Sequence, residues 1–255
     1  MLFGFSSDVA KRNIVAVLQE YPDIGVQGVK LRKYGQEVIR MISGKRSNSR
    51  GDVIDFARKQ NFNAKSQLEA MDIEGIDVAV LFGTFVGLGA IAAIEDPGLA
   101  VAVATAYNNW LAEYCQPYPD RRKGIALLPW QDPQAARQEM RRCVEKLGMV
   151  GVQALTNFGG KLLHEEQFDP LWEEAEGLGA PVCVHIISTN STGIDRFDRY
   201  VFKHAFYALD SMLAVSSFVA GGILERYPKL KVAFMEAGAG WAPWIMDRLH
   251  EHYEL

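Results

Sequence analysis

From Asn63 onward the chain alternates between short apolar runs and longer helical segments. That alternation limits the fold more than any other feature. The apolar runs are Ile76–Phe82, Lys123–Trp130, Val150–Leu155, Pro181–Ile186 and Leu230–Met235. They are too short for helices and carry no polar alternation, so they are predicted to be strands buried on both faces, as in a parallel sheet. The helices between them carry start and stop signals. Asn63 caps Ala64–Met71, Asp132 caps a helix that has Pro133 at its first position, and Asp96-Pro97 and Asp169-Pro170 open two more helices. Gly75, Gly148 and Gly179 stand where such helices stop. A further helix is predicted from about Leu209 to Tyr227, and Pro243 opens a last one to about Tyr253. Strands that alternate with helices form parallel sheets with right-handed crossovers. Two architectures share this signature, an open doubly wound sheet and a (β/α)8 TIM barrel. No G-x-G-x-x-G follows a strand, and Gly87-Leu-Gly89 lacks a third glycine, which argues against dinucleotide binding.

The chain has 255 residues, enough for one large domain or two small ones. Residues 1–62 lack the alternation. They carry candidate helices near Val9–Gln19 and Gly35–Ile42 and a polar linker, Ser43-Gly-Lys-Arg-Ser-Asn-Ser-Arg-Gly51. We therefore expect an N-terminal extension over 1–62 and a barrel-like domain over 63–255. The net charge of −4 and the lack of a basic stripe argue against nucleic acid or an anionic membrane as partner. Lys30-Leu-Arg-Lys33 reads as a solvated helix face. No uninterrupted apolar run reaches the roughly 18 residues of a membrane span. Cys115, Cys143 and Cys183 fit neither a CxxC pair nor a zinc ribbon. Few cysteines and no secretory signal point to the cytoplasm.

The chemistry gathers at two strand ends. Pro181-Val-Cys-Val-His185 ends in a histidine, and Lys231-Val-Ala-Phe-Met-Glu236 ends in a carboxylate that runs into Ala237-Gly-Ala-Gly-Trp-Ala-Pro-Trp244. The C-terminal ends of barrel strands face one cup, so His185 and Glu236 are expected to meet there. An imidazole beside a carboxylate suits a metal-assisted site. One histidine does not hold a metal by itself, so further ligands must come from elsewhere. Glu236 has two roles open to it: metal ligand, or proton shuttle buried against Trp241 and Trp244 with a raised pKa. The plainer readings are a satisfied rim histidine at His185 and a Glu236 that caps the last helix or pairs with Arg248.

His204, in Phe202-Lys-His-Ala-Phe206, is a candidate substrate contact or second base, or else a surface histidine. His164 reads as solvated, and His250 and His252 do not share a helix face. Trp130, Phe158, Trp241 and Trp244 follow strand ends and wall a pocket or pack between layers. Nothing singles out Arg58 over Arg196 or Arg199 as the anchor of a substrate carboxylate. There is no G-x-S-x-G elbow for serine hydrolysis.

Several stretches between Gln67 and Tyr253 resemble a known family: Met71-Asp-Ile-Glu-Gly-Ile-Asp77, Tyr107-Asn-Asn-Trp-Leu-Ala112, Asp169-Pro-Leu-Trp172, Pro181–His185 and Gly221-Gly-Ile-Leu-Glu-Arg-Tyr-Pro-Lys-Leu-Lys-Val-Ala-Phe234. Their order and spacing resemble the amidohydrolase-related metal-dependent barrels, in the branch that contains aminocarboxymuconate-semialdehyde and resorcylate-type decarboxylases. The resemblance implies a (β/α)8 barrel with His185 as the metal ligand of the fifth strand. Glu236 falls where many members carry an acid/base histidine, and a sub-branch has glutamate there. The usual Asp-x-His or His-x-His pair does not occur before His164, and no eighth-strand aspartate follows, so the implied barrel is incomplete, without its first strand and its last two. The resemblance implies a metal-dependent hydrolase or carboxy-lyase acting on a small cyclic or aromatic carboxylic acid. Zinc is the first expectation for the divalent metal, with iron or manganese as alternatives, and a homo-oligomer is expected. The second reading is a non-catalytic barrel remnant that acts by association.

Overall fold

The structure, a computed structural model, describes residues 60, 62–83, 88–186 and 206–253. The N-terminal extension expected over 1–62 lies outside these residues except for Gln60 and Phe62. The chain divides into two compact units. The first runs up to Gln131 and includes Glu145–Val150; the second comprises Asp132–Val144 and Gly151–Leu255.

In the first unit, helix α1 (Ala64–Glu74) begins where the Asn63 side chain accepts the Ser66 amide at 2.8 Å and ends at a left-handed Gly75. Such a cap is worth about 1 kcal/mol. Strand β1 (Ala79–Leu81) pairs in parallel with β2 (Arg122–Ala126), Ala79 opposite Arg122. Helix α2 (Pro97–Cys115) lies between them in sequence, and Asp96 accepts the Leu99 amide at 2.7 Å at its start. Among the described residues of this unit Ser66, Asn108 and Arg122 are buried, and Ser66 Oγ donates to the Asn63 carbonyl at 2.9 Å. Asn108 closes both backbone groups of Leu127, donating to its carbonyl at 2.8 Å and accepting from its amide at 2.9 Å. The Arg122 guanidinium donates to the carbonyls of Ala64 and Tyr114 and lies over the Tyr114 ring. β1 differs from expectation. It is shorter than Ile76–Phe82, and Val80 is 47% exposed. Its strand partner among the described residues is β2, and the face that carries Val80 meets solvent.

Helix α3 (Pro133–Leu147), whose residues up to Val144 belong to the second unit, starts where Asp132 accepts the amides of Gln134 and Ala135. Strands β3 (Gly151–Leu155), β4 (Val182–His185) and β5 (Val232–Met235) form a parallel sheet in that order. β3 is buried throughout, as its apolar run predicts, whereas β5 is only half-buried. Helix α4 (Asp169–Leu178) ends at a left-handed Gly179. Its buried Glu174 accepts from Arg137 at 2.9 Å and pairs with Arg141 at 2.7 Å, which ties α4 to α3. Trp172, Phe218 and Phe234 pack edge to face at 5.3 and 5.9 Å between ring centroids.

The helix expected from Leu209 to Tyr227 is divided into α5 (Ala208–Val219) and α6 (Ile223–Arg226). Gly222 between them is left-handed, with φ of 73°. A Cβ on Gly221 would lie 2.4 Å from His164 Cβ and 2.4 Å from the Ser217 carbonyl oxygen. His164 is therefore not the solvated residue expected of it: it is half-buried, and its Nδ1 lies 3.2 Å from Ser217 Oγ. The stretch Ala208–Arg226 is long and apolar enough to cross a membrane by length and composition. It is broken at Gly222, and Asp210, Ser211 and Ser217 are buried on it, which suits a packed helix of a folded domain. The last helix, α7 (Ala242–Tyr253), has no buried residue.

Candidate active site

The register of the second unit sets Leu155, His185 and Met235 level at the C-terminal ends of β3, β4 and β5. His185 therefore stands at the strand edge where a parallel sheet binds ligands. Its side chain is 26% exposed. Nδ1 donates to the Ile186 carbonyl at 2.7 Å, an assignment made from the hydrogen-bond network. That bond places a proton on Nδ1 and turns Nε2 toward the strand edge, the orientation found in histidines that bind metals.

Nε2 faces the Glu236 carboxylate, 3.9 Å from Oε2. The two residues expected to meet do meet. The gap exceeds a hydrogen bond. Glu236 is not buried against Trp241 and Trp244 as expected: its side chain is 74% exposed. Trp244 is itself 57% exposed and does not enclose it. Arg248 pairs with Glu251 and meets His252, so it is not the partner of Glu236. The Glu236 backbone has φ of 55°, a left-handed conformation that an L-residue rarely takes.

The other candidates spread out. His204, Arg58, Arg196 and Arg199 lie outside the described residues. His250 and His252 are exposed on α7. Phe158 sits in a tight bridge with Lys161 just after β3, and Trp241 is half-buried at the start of α7. Cys183 is buried in β4, and burial pushes its thiol pKa up, which suits a packing residue rather than a nucleophile. Sequence reasoning missed two features: the Ile186 carbonyl that orients His185, and the buried pair Thr156 and Asn157 just past β3. Neither has a signature in composition. Thr156 and Asn157 follow an apolar run, the one place a reader could have looked.

For a divalent cation, His185 and Glu236 fit in kind, an oriented imidazole nitrogen beside a carboxylate oxygen. They supply two donors. Among the described residues no group of three or more His, Cys, Asp or Glu side chains comes together.

The amidohydrolase family model matches residues 54–254. The chain belongs to the amidohydrolase family. Among its relatives is the 2-amino-3-carboxymuconate-6-semialdehyde decarboxylase of Dictyostelium discoideum, 32% identical over 187 residues, 73% of this chain and 50% of the relative. A gamma-resorcylate decarboxylase of Rhizobium radiobacter is 32% identical over 195 residues, 72% of this chain and 58% of the relative. The chain thus spans about half the length of the curated relatives it matches. A crystal structure of the 5-carboxyvanillate decarboxylase of Novosphingobium aromaticivorans, complexed with manganese and 4-hydroxy-3-methoxy-5-nitrobenzoic acid, aligns with a TM-score of 0.64 and 28% identity, over 73% of this chain and 53% of that one. Family and neighbours decide between the two architectures left open by the strand–helix rhythm. This amidohydrolase is an α/β chain of the barrel type.

Proposed function

We propose that this amidohydrolase acts as a metal-dependent carboxy-lyase on a small aromatic carboxylic acid. The observation that carries the proposal is His185 Nε2, its tautomer fixed by Ile186, facing the Glu236 carboxylate across 3.9 Å. The relatives named above, all decarboxylases, favour loss of CO2 over hydrolysis. In this reading His185 holds a divalent cation. Zinc suits the imidazole–carboxylate pair, and manganese is the ion in the carboxyvanillate decarboxylase complex. A bound cation would polarise the oxygen donors of the substrate as a Lewis acid.

Glu236 carries the proton. In its carboxyl form it delivers the proton to the ring carbon that bears the carboxylate. The C–C bond to that carboxylate then breaks, CO2 leaves, and the ring keeps a C–H bond in its place. The exposed Glu236 carboxylate takes its next proton from solvent. His204 is proposed as a substrate contact or second base. The protein works in the cytoplasm, where its three free thiols stay reduced.

The test is CO2 release from hydroxylated benzoates such as gamma-resorcylate and 5-carboxyvanillate, with added manganese or zinc. Release that falls at least 100-fold in Glu236→Gln supports the reading, on the scale general acid catalysis contributes. Release unaffected by that substitution contradicts it.

One observation favours association as a second role. Phe206, Leu209 and Leu213 lie at helical spacing on or just before α5 and are all exposed, and α7 buries nothing. A homo-oligomer would cover such apolar surface. Light scattering that returns a monomer at micromolar concentration removes this reading.

A further inference from the structure

We propose that Trp241 is the positioning residue of this site: its indole, fastened to the Ala237 carbonyl, holds the turn that brings the Glu236 carboxylate to His185. The proposal rests on the reading of His185 and Glu236 as the functional pair.

His185 and Met235 are register partners, so both side chains leave the same face of the sheet. In a regular strand the next residue, 236, would point to the opposite face. Glu236 does not continue the strand. Its φ of 55° ends the alternation, and its carboxylate stands 3.9 Å from His185 Nε2. Glutamate has no preference for that conformation, so its surroundings must impose it.

Three hydrogen bonds shape the turn that follows. Ala242 donates to the Ala239 carbonyl and Ile245 to the Trp241 carbonyl, both at 3.1 Å. Those two are backbone bonds at the start of α7 and need no particular side chain. The third is the Trp241 Nε1–H bond to the Ala237 carbonyl at 2.7 Å. It ties the buried residue next to Glu236 back onto the helix start, across a left-handed Gly238. Without that tether, Glu236 is free to relax to an ordinary backbone conformation, which swings the carboxylate away from His185.

The test is a proton–proton contact measured by nuclear magnetic resonance on the metal-free full chain. The wild type is expected to show a nuclear Overhauser contact between the His185 ring and the Glu236 γ protons. Trp241→Phe keeps a ring but has no N–H donor. It is expected to lose the contact while amide signals outside 235–245 stay in place. A contact that persists in Trp241→Phe overturns the proposal.

A second measurement needs no variant, should Trp241→Phe fail to fold. The Trp241 indole proton is expected to exchange with solvent at least ~10-fold more slowly than that of the exposed Trp244, as a hydrogen-bonded, part-buried donor should. Equal exchange at both overturns the proposal. Cation binding fails separately: a wild type that shows the contact and the slow indole proton but takes up no cation sinks the metal reading and leaves the Trp241 latch standing.

Discussion

Glu236 combines a carboxylate at the strand edge with a backbone conformation that costs a side-chain-bearing residue about 1–2 kcal/mol. Its side chain is exposed, and among the described residues its ion-pair partner is His185. A glutamate kept for stability would not sit there. Glu236→Gly should therefore leave urea stability unchanged or raise it by up to about 1 kcal/mol, the relieved strain being offset in part by the greater chain freedom of glycine. A loss of more than about 1 kcal/mol would mark Glu236 as structural. The meeting of His185 with Glu236 was legible in the sequence, because two consecutive apolar runs end in a histidine and a glutamate and parallel strands end on one edge. The left-handed turn at Glu236 was not legible. Nothing about a glutamate announces a positive φ, and the glycines after it point only to a turn somewhere in Ala237–Gly240.

The division of α5 from α6 shows what an element can hide. No proline interrupts Leu209–Tyr227, and its apolar residues recur at helical spacing, so it reads as one helix. The adjacent glycines serve a tertiary purpose: Gly221 lets His164 approach where a methyl group would clash, and Gly222 takes the left-handed turn. Gly221→Ala should destabilise the chain by about 1–3 kcal/mol, the usual cost of overpacking, seen as a lower Tm with the second-unit signals most affected. An unchanged Tm would mean that His164 moves aside freely. Helix starts were the most legible elements, since Asn63, Asp96 and Asp132 each accept the amides their positions predict. Strand β1 was the least legible. An apolar run alone cannot say whether both of its faces find a covering layer, and among the described residues the face that carries Val80 stays exposed.

For the whole molecule, the strand–helix rhythm fixed the class, and the family match selects the barrel type within it. The rest of the candidate site was not legible because a barrel assembles its cup from strand ends far apart in sequence, and two ends supply two donors. The central claim is that His185 holds the cation at this strand edge, with the Glu236 carboxylate beside it. It is tested most directly by titrating manganese and zinc into the purified, metal-stripped chain by calorimetry, beside His185→Ala and Glu236→Gln. The account predicts saturable binding that His185→Ala abolishes and Glu236→Gln weakens by roughly 10–100-fold, the range for losing a group at or next to a metal. Binding that survives His185→Ala undiminished, or no binding in the wild type, would contradict it.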